Sequence, residues 1–173
     1  MDIWQFSAYE MLAQTPDIAK QRAFYTGTHD NSTLAAFVIE HAQEIIGHSV
    51  GTQIVVEPAA ENNEHEGTGS SEVHYEKPVS KIVLDEKEKA AVETAAKDII
   101  SKIYESPASL AMLQLQDIFM LGDEARMNVP GISEGNWKWR IPGDSIKTSF
   151  PDADTRVSWF RELAQKTKRL GTK

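Results

Sequence analysis

Residues 110–121 form a nearly continuous apolar run, and no other segment constrains the fold of this chain as strongly. Such a run suits a strand buried on both faces, as in a parallel sheet, although periodicity alone does not separate that strand from a buried helix. A second β-favouring run, Ala23-Phe24-Tyr25-Thr26, is ended by Gly27. Two short strands, each followed by loop-rich sequence and separated by helical stretches, do not make a complete sheet. They read as a piece of a βα repeat, so the expected class is α/β, helix-rich, with few strands. A closed eight-stranded βα barrel takes about 250 residues, and this chain has 173. Absent barrel strands would leave the 110–121 run exposed along an edge, which predicts self-association or reliance on the rest of a barrel.

Between these runs the pattern is helical. Leu34, Phe37, Val38, His41 and Ile45 share one face of a helix expected over 32–46, with Asn31 as its cap and Gly47 as its end. Thr15-Pro16-Asp17 marks a break between helical stretches. Asp85-Glu86-Lys87-Glu88 has capping-box spacing, followed by an apolar stripe of Val92, Ala95, Ala96, Ile99 and Ile103 that Ser106-Pro107 stops. A last helix is expected with Asp154 as cap and Val157, Phe160, Leu163 and Ala164 inward, while Lys166, Lys168 and Arg169 suit its terminal dipole. Residues 57–80 differ. Glu57, Glu61, Glu64, Glu66, Glu72 and Glu76 lie among Asn, Gly and Ser with few large apolar groups, the composition of a flexible acidic insertion. The expected organisation is therefore 1–56, an insertion at 57–80, and 81–173.

A net charge of −8 would repel nucleic acid and anionic membranes but is indifferent to a neutral polar substrate. No cysteine is present, which excludes disulfides, thiolate metal sites and cysteine nucleophiles. No stretch reaches the roughly 18 apolar residues of a membrane span, and Met1-Asp2-Ile3-Trp4-Gln5-Phe6 does not resemble a signal peptide. A cytoplasmic protein is expected. His65 and His74 have no companion ligands in the acidic segment, and His41 and His48 read as surface residues, so no metal is expected. No phosphate-cradling glycine loop appears either, and no cofactor is expected.

Three stretches carry polar groups in places where chemistry is possible. Phe24-Tyr25-Thr26-Gly27-Thr28-His29-Asp30-Asn31 puts a His-Asp pair just past a β-run and ahead of a helix, the position of catalytic groups in βα barrels. Asp30 or Asn31 could instead simply cap that helix. Gln116 and Asp117 interrupt the apolar run, and burying them unpaired would cost a few kcal/mol; a structural, hydrogen-bonded role is favoured for Asp117. Arg126 and Asn128, before Pro130-Gly131, could point at a ligand or hold their own loop together. In Gly135-Asn136-Trp137-Lys138-Trp139-Arg140 the two tryptophans alternate as in an extended strand. One could stack on a sugar ring, though each taken alone reads as a core residue.

Taken together, residues 24–31, 116–130 and 130–140, preceded by Ile3-Trp4-Gln5-Phe6, resemble the motif run of the amylomaltases, glycoside hydrolase family 77. The resemblance implies the C-terminal portion of a (β/α)8 TIM barrel that moves α-1,4-glucan segments between maltooligosaccharides through a covalent glycosyl-enzyme. It implies that Asp30 is the carboxylate stabilising the transition state, and that His29, Arg126, Asn128, Asn136 and Trp137 contact the glucan. It also places Gln116 and Asp117 on the last barrel strand. A retaining enzyme further needs a nucleophile and an acid/base about 5–5.5 Å apart; in this family both lie upstream of the matching region, and no stretch here resembles either. The isolated chain is thus expected to be inactive without the N-terminal part of the barrel. The alternative is a non-catalytic glucan-binding or regulatory remnant.

Overall fold

A computed structural model describes residues 1–47, 49, 53–56, 80–141, 143 and 146–170. Most of the acidic segment, and with it His48, His65 and His74, lies outside the described residues.

The chain begins with β1 (Asp2–Ile3), α1 (Trp4–Ala13) and α2 (Pro16–Ala19), then β2 (Ala23–Tyr25). Proline at the first position of α2 stops α1 and starts the next turn, because it lacks the N–H that a helix interior would need. After β2 come α3 (Leu34–Glu40) and α4 (Ala42–Ile45), and then β3 (Gln53–Val56), which pairs antiparallel with β4 (Ser80–Val83). The second half holds α5 (Glu86–Glu105), β5 (Leu110–Met112), α6 (Leu115–Ile118), a 3-10 turn at Asp123–Ala125, α7 (Ile146–Ser149) and α8 (Ala153–Lys166). Three strands form a parallel sheet in the order β1-β2-β5, with Phe24 between Asp2 and Ala111. β1 was not legible in the sequence, because two residues carry no period.

α5 is the helix the sequence specifies most completely. Asp85 accepts a hydrogen bond from Glu88 N–H at 2.7 Å, and the Glu88 carboxylate accepts one from Asp85 N–H at 2.9 Å. Val92, Ala96, Ile99, Ile100 and Ile103 are buried against Leu34, Val38 and Phe24 in the core. Asp85→Ala should remove about 1 kcal/mol of stability, read as a lower urea midpoint at unchanged slope. Arg169 does not serve its own helix. It donates to the carbonyls of Tyr104, Ser106 and Ala108 at 2.6–2.9 Å, and so ties the chain's last described turn to the end of α5.

Several expectations need correction. The 110–121 run is not one strand: β5 ends at Met112, and α6 takes Leu115, Gln116, Asp117 and Ile118. Leu110 and Met112 are 48% and 40% exposed because β5 is an edge of the described sheet. Gln116 and Asp117 turn inward on α6, where polar partners await them, rather than lying on a strand. The helix expected over 32–46 breaks at His41, whose backbone leaves helical geometry. Its cap is Thr33, which accepts from Ala36 N–H, and not Asn31. The residue before α8 is Asp152, with Asp154 in the first turn, and Val157 faces outward.

Candidate functional site

The site is built on two loops: the first follows β2 directly, and the second follows α6, the short helix that comes after the adjacent parallel strand β5. The first, residues 26–33, is fixed at both ends by one buried carboxylate. Asp117 accepts from the Thr26 hydroxyl at 2.5 Å and from Leu34 N–H at 2.8 Å, and its side chain is fully inaccessible. Burial raises the Asp117 pKa above the usual carboxylate range, although the bonds from Thr26, Leu34 and the Gln114 backbone pull it back. The same residue thus joins β2, α3 and α6.

Between those anchors the chain makes a tight turn. Asn31 N–H donates to Thr28 O at 3.0 Å, while Asn31 Oδ1 accepts from both the N–H and the hydroxyl of Thr28. Asn31 therefore closes the turn, and His29 and Asp30 occupy its tip. Two amides reach across the turn: Gln5 Nε2 donates to Ser32 O at 2.9 Å and Gln114 Nε2 to Thr28 O at 3.2 Å. An added Cβ at position 27 would stand 2.8 Å from Gln5 Nε2 and 3.1 Å from Gln114 Nε2, so a larger residue there would push aside the ends of the two side chains that make this crossing.

The second loop, residues 122–140, folds back on this tip. Asn128 Nδ2 donates to Asp30 Oδ1 at 2.6 Å, and Asn128 N–H donates to His29 O at 3.1 Å. His29 Nε2 stands 3.2 Å from the same carboxylate oxygen. Arg126 donates to Asp30 O at 2.7 Å and to Asn128 O at 2.9 Å. Asn136 supports the loop from behind, accepting from Val129 N–H at 2.9 Å and donating to Ile132 O at 2.8 Å.

Trp137 departs from the extended-strand and core readings of the sequence. Its backbone is in the left-handed region at φ 65°, so the alternating strand does not form, and the side chain is 52% exposed rather than in the core. Left-handed backbone at a bulky residue costs about 1–3 kcal/mol and persists where neighbours impose it. Here Trp137 N–H donates to Met127 O at 2.6 Å, and Arg140 donates to Trp137 O at 2.8 Å. The result sets the indole beside the His29 ring, with centroids 5.0 Å apart and planes inclined by 40°.

Five of the six residues singled out from the sequence are thus joined by contacts at the loop tip, and Asn136 braces the second loop behind them. The tip presents a carboxylate, an imidazole, an amide and an indole face, the kind of set that grips sugar hydroxyls and a sugar ring. Sequence reasoning missed the supports: Gln5 and Thr28 lie inside the motif stretches but carry no signal of their own, and Ser32, Gln114 and Asp123 had no distinguishing pattern. For Gln5 and Gln114 the signal was at most a polar residue beside an apolar stretch.

A family model described as 4-alpha-glucanotransferase matches residues 1–148 of the chain. Among curated proteins, the chloroplastic/amyloplastic 4-alpha-glucanotransferase of Solanum tuberosum is 27% identical over 174 residues, covering 98% of this chain and 24% of that protein. The 4-alpha-glucanotransferase of Thermus thermophilus is 44% identical over 66 residues, 38% of this chain and 12% of its own length. A solved structure of amylomaltase from Streptococcus agalactiae in complex with acarbose superposes with a TM-score of 0.52 at 18% identity, over 97% of this chain and 27% of that one. The chain therefore spans about a quarter of the length of the Solanum tuberosum and Streptococcus agalactiae proteins.

Proposed function

The chain belongs to the 4-alpha-glucanotransferase family, glycoside hydrolase family 77, and on that premise we propose that its two loops form one wall of a glucan-gripping cleft. In this reading the parallel strands β1, β2 and β5 are part of a (β/α)8 barrel, and the loops after β2 and β5 lie on its catalytic face. β5 stands at the edge of the described sheet, where its free backbone edge has room for a further strand.

The observation that carries the reading is the 2.6 Å bond from Asn128 to Asp30, which unites motif residues 98 positions apart in sequence. Asp30 keeps one oxygen on Asn128 and stands half exposed at the tip, so its charge faces the side from which a ligand would come. As the third carboxylate of a retaining glucanotransferase it stabilises positive charge developing on the sugar. Asn128 and His29 orient it, and the Trp137 indole offers an apolar face to a glucose ring.

The chain alone is expected to bind without turning over, because no stretch of it resembles the family's nucleophile or acid/base. Calorimetry with maltotriose tests the binding part. Trp137→Ala should weaken the affinity about tenfold. Equal affinity in the variant would remove Trp137 from the site, and no heat with the parent chain would count against the cleft. The same absence of two carboxylates favours a second reading, a glucan-binding or regulatory module. Binding that persists without turnover after the other barrel segments are supplied would favour the module over the enzyme.

A further inference from the structure

Arg126 resembles a substrate ligand in the sequence, a cation in a motif loop beside a catalytic carboxylate, but its geometry describes another task. Nε donates to Asn128 O at 2.9 Å, Nη2 to Asp30 O at 2.7 Å, and Nη1 lies 3.4 Å from Ser32 Oγ and 3.6 Å from Asp123 Oδ2. Each of its three nitrogens is thus engaged with protein, and the side chain is 19% exposed. The planar fork suits this task, because it offers five donors in fixed directions where an ammonium has one centre.

Asp123 completes the arrangement from the other side. Three residues before Arg126 and at the start of the same 3-10 turn, it accepts from Thr33 N–H at 3.2 Å. The pair therefore holds the 26–33 loop twice, the cation through Asp30 O and Ser32 and the anion through Thr33. The cation simultaneously holds Asn128 through its carbonyl. The two residues whose side chains meet at 2.6 Å, Asp30 and Asn128, are thus tied to one guanidinium through their backbones.

We propose that Arg126 is a positioning residue that sets the register of Asp30 against Asn128 and does not itself touch the glucan. The proposal rests on the glucan-site reading for its purpose, but its physical content is independent of any sugar. Without the guanidinium, the two loops are joined mainly by Asn128 and by the Asp123–Thr33 bond, and a junction with fewer bonds opens more often.

The test uses the full 173-residue chain as parent, Arg126→Ala and Arg126→Lys. Amide hydrogen exchange is followed at Asn128 and Trp137, with Ile99 and Ile100 of α5 as internal reference, and the Asn128 side-chain amide is followed by NMR. In Arg126→Ala, exchange at Asn128 and Trp137 should rise about tenfold relative to Ile99 and Ile100, with the Asn128 side-chain signals moving toward those of a free amide. Guanidinium ion added below denaturing concentration should restore part of that protection, and Arg126→Lys should fall between parent and alanine variant. Unchanged relative exchange would overturn the proposal. So would equal acceleration at Ile99 and Ile100, which is the signature of a general loss of stability. A maltotriose titration run alongside separates the remaining case: weaker binding by Arg126→Ala with unchanged exchange would make Arg126 a direct ligand. Failure of the parent to bind maltotriose would count against the glucan reading alone, since the exchange ratio judges the positioning role without sugar.

Discussion

Asp117→Ala is expected to destabilise the chain by about 3 kcal/mol, because it strips acceptors from two groups that stay buried. The Thr26 hydroxyl and Leu34 N–H both donate to this carboxyl, and both belong to buried residues. For a chain of this size that loss corresponds to a thermal midpoint lower by about 6–12 °C. Asp117→Asn should be far milder, since the carboxamide keeps an acceptor for Leu34 N–H and can donate to Thr26. The pH dependence follows from the same burial. A carboxyl whose folded pKa is raised holds its proton more tightly in the folded state. Its contribution to stability is therefore complete below the unfolded pKa and is lost as pH rises through the folded one. The parent should lose stability over that acidic window, and Asp117→Asn should lack this component. Urea melts across pH check both statements. An alanine variant with the parent's midpoint would mean that Asp117 does not hold the loop.

The second large effect concerns Asp30. In a chimera where this chain replaces the matching segment of the Thermus thermophilus relative, Asp30→Asn should lower maltotriose disproportionation by about 10²–10³-fold in kcat/KM. Asparagine retains the shape of the side chain and the oxygen that accepts from Asn128 Nδ2. What it loses is the negative charge beside a sugar ring that becomes positive in the transition state. The fall should therefore appear mainly in kcat. A variant as active as its parent would reject the role assigned to Asp30. The 173-residue chain assayed alone should yield no transfer product; transfer by the pure chain would mean that a nucleophile and an acid/base stand among residues not suspected of it.

Where local chemistry sufficed, the sequence was readable. Asp85 and Glu88 sit three positions apart and satisfy one another's backbone donors, so α5 starts where its capping box says. The stripe from Val92 to Ile103 is buried because helical spacing puts those residues on one side. Ala23-Phe24-Tyr25 forms a strand and Gly27 follows it, as its composition suggested. The 110–121 run misled because apolar continuity reports burial without reporting geometry. Its polar members decided the outcome: Gln116 found Ala125 O at 3.0 Å and Asp117 found Thr26 and Leu34, contacts that a helical turn allows there.

The motif residues were likewise visible, while their partnerships were not. Asp30 read equally well as a helix cap, and Arg126 as a ligand or a brace, because each donor and acceptor has several uses within its own loop. Asp30 and Asn128 stand 98 positions apart, and no local rule sets a bond between them. By itself the sequence determined the capping box and apolar stripe of α5, the strand β2 and the family motifs, all of which depend on neighbours within a few residues. The tertiary structure alone decided that α6 replaces a strand, that Trp137 turns outward beside His29, and that one guanidinium spans both loops. Those outcomes depend on which buried polar group meets which partner across the sheet, and only the folded chain brings the candidates together.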